Sequence, residues 1–132
     1  AGIDDAALAE LAGAAAAEFD STAATTAQLA RTILRSPACR PFFGGAALRW
    51  AGNEVPVGID AEVLRIDRLV QLDAGDGPVW WVLDYKLQHA PHELEAYRQQ
   101  LCRYRDAVRR LQPGAAVRCA FLTGAGEVIE LD

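Results

Sequence analysis

Two aspartates and the only lysine of the chain stand at a spacing that suits metal-assisted chemistry. Asp84 and Lys86 are two residues apart in the most apolar predicted strand, so their side chains point to one face, about 7 Å apart at Cα. Asp67 lies in the preceding predicted strand. A hairpin centred between Gly75 and Asp76 pairs Asp67 directly with Asp84 on that same face.

The carboxylates of Asp67 and Asp84 would repel each other, because like charges directly opposite on a sheet are destabilising. This arrangement therefore predicts a bound cation that removes the repulsion. Two aspartates suit Mg²⁺ or Mn²⁺, which keep several waters and bind phosphate oxygens. Lys86 would orient or deprotonate an attacking water, or neutralise charge on the phosphate. The set predicts metal-assisted phosphodiester hydrolysis. The alternative is that Asp84 and Lys86 are solvated residues at a frayed strand end.

The elements that position these residues follow from apolar periodicity and turn formers. We expect helices over 4–19 and 22–35, strands over 54–59, 62–72 and 79–87, a helix over 91–111, and strands over 117–122 and 128–131. Within 62–72, four side chains are expected on one face: Leu64, Ile66, Val70 and Leu72. The order ααβββαββ predicts an α/β fold, a mixed sheet flanked by helices.

The 132 residues fit one domain, 1–132, with a helical N-terminal part over 1–46 and the catalytic sheet and helix over 47–132. No apolar run approaches the ~20 residues of a membrane span, so we expect no membrane association. Three cysteines without CxxC spacing favour a reducing, cytoplasmic compartment over a disulfide framework or structural zinc site. Because the chain has no methionine, not even at position 1, we expect either a processed protein or a fragment, C-terminal in its position, of a longer protein.

The net charge of −5 is unevenly distributed. Residues 1–30 carry five acidic and no basic side chains, whereas residues 97–118 carry six arginines against Asp106. The acidic net charge therefore does not exclude an anionic partner, which would bind at the locally basic segment 97–118.

Three ordered segments carry a family resemblance: GIDAEVLRIDRLVQL from Gly58, WWVLDYKL from Trp80 and YRQQLCRYRDAV from Tyr97. They resemble the RecB/AddA-type nuclease domain of the PD-(D/E)XK superfamily, from about Glu54 to the C-terminus. The resemblance implies a restriction-endonuclease-like fold and a Mg²⁺-dependent deoxyribonuclease, an exonuclease domain acting on DNA. It also implies a C-terminal position in a UvrD-like helicase–nuclease of double-strand-break repair, with a helicase domain in the same chain and a second helicase–nuclease subunit.

The resemblance also assigns roles to individual residues. Asp67, Asp84 and the backbone carbonyl of Tyr85 would bind the metal ion, and Lys86 would be catalytic. Glu54 would supply a further catalytic carboxylate.

A helical motif of the family falls on Gln100 and Tyr104, which share a helix face at i and i+4. The resemblance has them brace the site or contact the nucleic acid backbone, and the alternative is a core stripe with two polar edges. Around this helix Arg98, Arg103 and Arg105 are the predicted nucleic-acid-binding residues, unless they only keep the helix solvated.

Departures from the family pattern leave other functions open. Leu64 and Leu87 replace the usual Gly and Ser or Thr, and an upstream metal-binding histidine is missing, since His89 and His92 follow the lysine. We therefore expect the isolated chain to be weakly active or inactive. The second hypothesis is a catalytically incomplete module for DNA binding or scaffolding, and the third is an unrelated α/β interaction domain.

Overall fold

The computed structural model describes residues 23–87 and 90–132, so the predicted helix over 4–19 and His89 lie outside the described residues. The helices are α1 (Ala23–Arg35) and α2 (Glu95–Leu111), with short 3₁₀ helices at Arg40–Phe42 and Pro91–Glu93. The strands are β1 (Leu48–Ile59), β2 (Glu62–Asp73), β3 (Pro78–Lys86), β4 (Ala116–Thr123) and β5 (Val128–Leu131). In the ranges described, no helix is both long and apolar enough to cross a membrane.

One sheet contains the five strands in chain order, from β1 to β5. Neighbouring strands run antiparallel except β3 and β4, which are parallel. A parallel pair needs a crossover connection, and α2 supplies it between β3 and β4. The predicted α/β class, a mixed sheet flanked by helices, is confirmed for the described part of the chain.

β3 is the central strand, and every residue from Trp81 to Lys86 is buried. Its odd-numbered side chains, among them Leu83, pack in a cluster with Ile33 of α1. Its even-numbered Val82 packs on the other face, in a cluster with Leu101 of α2. A strand covered on both faces has a near-continuous apolar sequence, which explains why the prediction for β3 was the clearest.

The hairpin between β2 and β3 has the predicted register. Arg68 lies opposite Leu83 and Asp73 lies opposite Pro78, which is the pairing expected from a turn centred between residues 75 and 76. Gly75 adopts a φ of +94°, and its N–H donates to the Asp73 carboxylate at 2.9 Å. The density of turn formers after Asp73 therefore determines which residues of β2 and β3 meet.

The prediction that the apolar side chains of β2 share a single face is wrong. Leu64 and Ile66 pack with Leu69 in the cluster beneath α2. Val70 and Leu72 pack on the opposite face, in the cluster beneath α1. The alternation of side chains therefore changes phase between Ile66 and Leu69.

The change of phase occurs where β2 faces an irregular residue of β1. Glu54 has a φ of +49°, in the left-handed region, and Asp67 occupies the matching position of β2. Neither residue is part of the strand pairing, although the same register continues on both sides of them. β1 also begins at Leu48, six residues before the predicted start, because a long β2 offers a partner even to Gly52 and Asn53, which have weak strand propensity.

Candidate functional site

The centre of the site is an ion pair at the carboxyl end of β3. The Nζ atom of Lys86 lies 3.2 Å from Oδ2 of Asp84, and the two side chains are only 6% and 2% exposed. Strand alternation places both side chains on one face, as predicted, and the structure shows that this is the face covered by α2. The alternative interpretation, two solvated residues at a frayed strand end, is wrong.

Asp67 reaches β3 from the neighbouring strand. Its Oδ2 accepts a hydrogen bond from the backbone N–H of Tyr85 at 3.0 Å, just beyond the last pair of the β2–β3 ladder. A peptide nitrogen lies about 2.4 Å from the preceding Cα, so this carboxylate oxygen is within about 5.5 Å of the Asp84 Cα atom. The predicted direct pairing of Asp67 with Asp84 is not part of the β2–β3 ladder, which ends at Arg68 and Leu83, but the Asp67 carboxylate still lies beside the backbone of Asp84 and Tyr85.

The backbone of Tyr85 adds a carbonyl oxygen on the side of β3 where Asp67 lies. In an extended strand, the N–H and C=O of one residue point in the same direction. Since the Tyr85 N–H points at Asp67, its carbonyl oxygen also points toward the side of β3 where Asp67 lies. The carbonyl of Lys86 points the other way and accepts from the N–H of Gly124 at 3.1 Å.

The oxygen atoms at this strand end are compatible with binding a hard divalent cation. Among the described residues, Oδ2 of Asp84 is buried without a hydrogen-bond donor of acceptable geometry, although the Lys86 ammonium group is near. A buried carboxylate oxygen needs a positive partner, which the Lys86 ammonium group provides here, and a bound cation would be a second one. Asp67, Asp84 and the Tyr85 carbonyl offer the oxygen ligands that Mg²⁺ and Mn²⁺ accept.

Glu54 is not part of a three-carboxylate group. It is exposed on β1, at the strained position opposite Asp67. Within residues 23–87 and 90–132, no three side chains of His, Cys, Asp or Glu form a potential metal-binding group. The structure thus places Glu54 beside β2 without bringing it together with Asp67 and Asp84.

The helical motif has one exposed and one half-buried member. Gln100 is exposed on α2, whereas Tyr104 packs at the edge of the cluster beneath this helix. The packing of Tyr104 agrees with the core-stripe alternative, and the bracing role of Gln100 and Tyr104 stays a prediction. His92 lies in the 3₁₀ helix before α2.

The three arginines predicted to bind nucleic acid all contact carboxylates. Nη1 of Arg98 lies 3.8 Å from Oε2 of Glu95, and Arg103 forms an ion pair with Glu62. Arg105 is 3.5 Å from the adjacent Asp106, and its guanidinium also reaches the sulfur of Cys119, at 3.9 Å. A polyanion binding here would compete with these carboxylates.

A buried arginine beside Asp67 was not predicted. Arg68 donates twice to the carbonyl of Phe42, at 3.1 and 2.9 Å, and once to the side-chain oxygen of Asn53 at 2.9 Å. Its guanidinium also lies 4.4 Å from the centre of the Phe43 ring. Arg68 thereby fixes β2 to β1 and to the 3₁₀ helix before β1, next to the residue that reaches β3. The sequence signal that could have revealed this role is the position of Arg68, a charged residue inside a strand predicted from its apolar side chains.

Tyr97 is the second residue that sequence reasoning did not assign to the site. Lys86 Nζ lies 4.6 Å from the centre of the Tyr97 ring, in cation–π geometry. The spacing of Tyr97 to Leu101 predicted only a core contact, and nothing in the helix pattern indicates a lysine partner.

Comparison with known proteins leaves the family open. No model of a known protein family matches the chain, and no curated protein matches it either. The resemblance described from the sequence therefore stays a prediction, and the geometry of the site is the basis for a functional proposal.

Proposed function

We propose that the chain is a Mg²⁺- or Mn²⁺-dependent deoxyribonuclease domain of the PD-(D/E)XK type, with a restriction-endonuclease-like fold. The observation that carries the proposal is the buried Asp84–Lys86 pair at the end of β3, with the Asp67 carboxylate bound to the intervening Tyr85 amide. This arrangement collects two acids, a carbonyl oxygen and a lysine at one strand end.

The energetics of the pair favour a functional role over a structural one. Removing two charges from water costs several kcal/mol for each ion, and a buried ion pair is weak support for stability. An apolar pair at these two positions would fit a central strand at least as well. The presence of Asp84 and Lys86 is better explained by a ligand that needs both charges.

Each residue has a distinct proposed role. Asp67, Asp84 and the Tyr85 carbonyl would hold the ion, which when bound supplies positive charge to the scissile phosphate and acidifies its water. Lys86 lies beside Asp84, where its ammonium group can bind a phosphate oxygen or orient the attacking water. Tyr85 packs beneath α1 and anchors the strand between these groups.

The test is a DNA degradation assay on the full-length protein. We expect Mg²⁺- or Mn²⁺-dependent hydrolysis, reduced about 100-fold or more in Asp84→Asn and in Lys86→Ala. Asp73→Asn changes an exposed aspartate paired with Arg49 and is the matched control that keeps its activity. Undiminished hydrolysis in both site variants would refute the proposal.

The wider setting of the domain is part of the same proposal. The resemblance favours a cytoplasmic helicase–nuclease of double-strand-break repair, with a helicase domain in the same chain and a second helicase–nuclease subunit. The competing function is a module that binds DNA without cleaving it. Metal-independent DNA binding by a protein that never hydrolyses DNA would favour that alternative.

A further inference from the structure

The ammonium group of Lys86 lies between a carboxylate and an aromatic ring. Oδ2 of Asp84 is 3.2 Å from Nζ, and the centre of the Tyr97 ring is 4.6 Å from it. The lysine side chain is only 6% exposed, so these contacts replace most of the water around the charge. A cation over an aromatic face gains more when it is desolvated than when it is exposed.

The position of Tyr97 is determined by the segment that follows β3. Leu94 and Arg98 donate their N–H groups to the carbonyls of Pro91 and Leu94, which joins the 3₁₀ helix to the first turn of α2. Leu101, one turn after Tyr97, is fully buried against the sheet. Residues at i and i+4 share a helix face, so the Tyr97 ring faces the sheet where β3 ends.

We propose that Tyr97 is a positioning residue for Lys86, holding the ammonium group at the site through its ring face. The inference rests on the proposed function and deepens it. If Asp84 binds a cation, its negative charge is shared, and the attraction between Asp84 and Lys86 weakens. The Tyr97 ring remains as a contact that keeps the lysine beside the substrate phosphate. Only the ring is needed, so phenylalanine can replace tyrosine.

The first test observes the contact directly. Because Lys86 is the only lysine in the chain, protein labelled with ¹³C-lysine has a single set of lysine side-chain signals in the NMR spectrum. We expect nuclear Overhauser effects between the Lys86 ε-methylene and the Tyr97 ring in the wild-type protein. We also expect an upfield ring-current shift of that methylene, retained in Tyr97→Phe and lost in Tyr97→Leu.

Two results of the NMR test would overturn the proposal. One is the absence of these Overhauser effects in the folded wild-type protein, a measurement that does not depend on any variant. The other is an ε-methylene shift in Tyr97→Leu equal to that of the wild type. Leu94→Ala, which truncates an exposed side chain at the start of α2, is the matched control that leaves the methylene shift unchanged.

The second test measures DNA hydrolysis by the full-length protein. We expect Tyr97→Leu to lower kcat about 5- to 10-fold with KM for DNA nearly unchanged, and Tyr97→Phe to retain kcat. An unchanged kcat in Tyr97→Leu, together with a lost ring-current shift, would overturn the positioning role and leave the proposed function standing. No hydrolysis by the wild-type protein would overturn both, whereas the NMR result would still report the contact.

Discussion

The Asp67 carboxylate accepts a hydrogen bond from the backbone N–H of Tyr85, at the point where the β2–β3 ladder ends. A side-chain oxygen here takes the N–H of β3 that a neighbouring strand would otherwise bind. This single contact brings an acid of β2 next to the backbone of Asp84. It also aligns the Tyr85 carbonyl with the same side of the strand.

Asp67→Ala and Asp67→Asn should therefore differ in stability. Alanine leaves the Tyr85 N–H without this acceptor, and we expect a loss of about 1–3 kcal/mol in the free energy of unfolding. Asparagine keeps an oxygen acceptor and should cost less than about 1 kcal/mol. Denaturant unfolding measures both, and equal losses in the two variants would show that the hydrogen bond is not what Asp67 contributes.

The Asp84–Lys86 pair should show strong energetic coupling. Asp84→Asn leaves a buried ammonium group without its counter-charge, and Lys86→Met leaves a buried carboxylate, each costing about 3–5 kcal/mol. The double variant should be less destabilised than the sum, with a coupling energy of about 1–3 kcal/mol. The exposed Arg49–Asp73 pair, at 2.9 Å, is the control and should couple by less than about 1 kcal/mol. Similar coupling in the two pairs would contradict the buried ion pair.

Arg68 should be a large contributor to stability. Arg68→Met removes both donors of the Phe42 carbonyl and the donor to Asn53, and we expect a loss of about 2–4 kcal/mol. Arg65→Met changes an exposed arginine on the same strand and should cost less than about 0.5 kcal/mol. Thermal or denaturant unfolding gives the comparison, and similar values for the two variants would refute the anchoring role.

Cys119 should make the protein less stable at alkaline pH. Burial raises the pKa of the Cys119 thiol to about 11, against the opposing effect of the Arg105 guanidinium. Below the ordinary pKa of 9.0 the thiol is protonated in both folded and unfolded chains, so its contribution to stability is fully present. Between about pH 9 and 11 the unfolded chain loses its proton first, and stability falls as pH rises.

The measurement for Cys119 is the slope of unfolding free energy against pH. Between about pH 9 and 11, we expect the unfolding free energy of the wild-type protein to fall by up to about 2–3 kcal/mol more than that of Cys119→Ala. Other groups that titrate there are common to both proteins and cancel in the difference. Parallel slopes would show that the thiol ionises equally in the folded and unfolded chains.

The sequence was most informative where a local signal determines the structure. The turn formers after Asp73 gave the hairpin register, and strand alternation placed Asp84 and Lys86 on one face. The change of phase in β2 could not be predicted, because it coincides with the left-handed backbone of Glu54 in another strand, and the sequence of β2 itself carries no sign of it.

The two contacts that brace the site were also out of reach of sequence patterns. Arg68 binds a carbonyl of the 3₁₀ helix before β1, and Tyr97 contacts Lys86 across the interface between helix and sheet. Such tertiary contacts leave no periodic signature, and a tyrosine at helical spacing is equally typical of a core position. Structure was needed to show that the lysine has an aromatic partner.

The most direct test of the account is a calorimetric titration of the folded protein with Mn²⁺. We predict one saturable site, weakened about 10-fold or more in Asp67→Asn and in Asp84→Asn. Asp73→Asn removes the charge of an exposed aspartate and should bind Mn²⁺ as the wild type does. Saturable binding of equal affinity in the wild-type protein and in Asp84→Asn, or no saturable binding by the wild-type protein, would contradict the account.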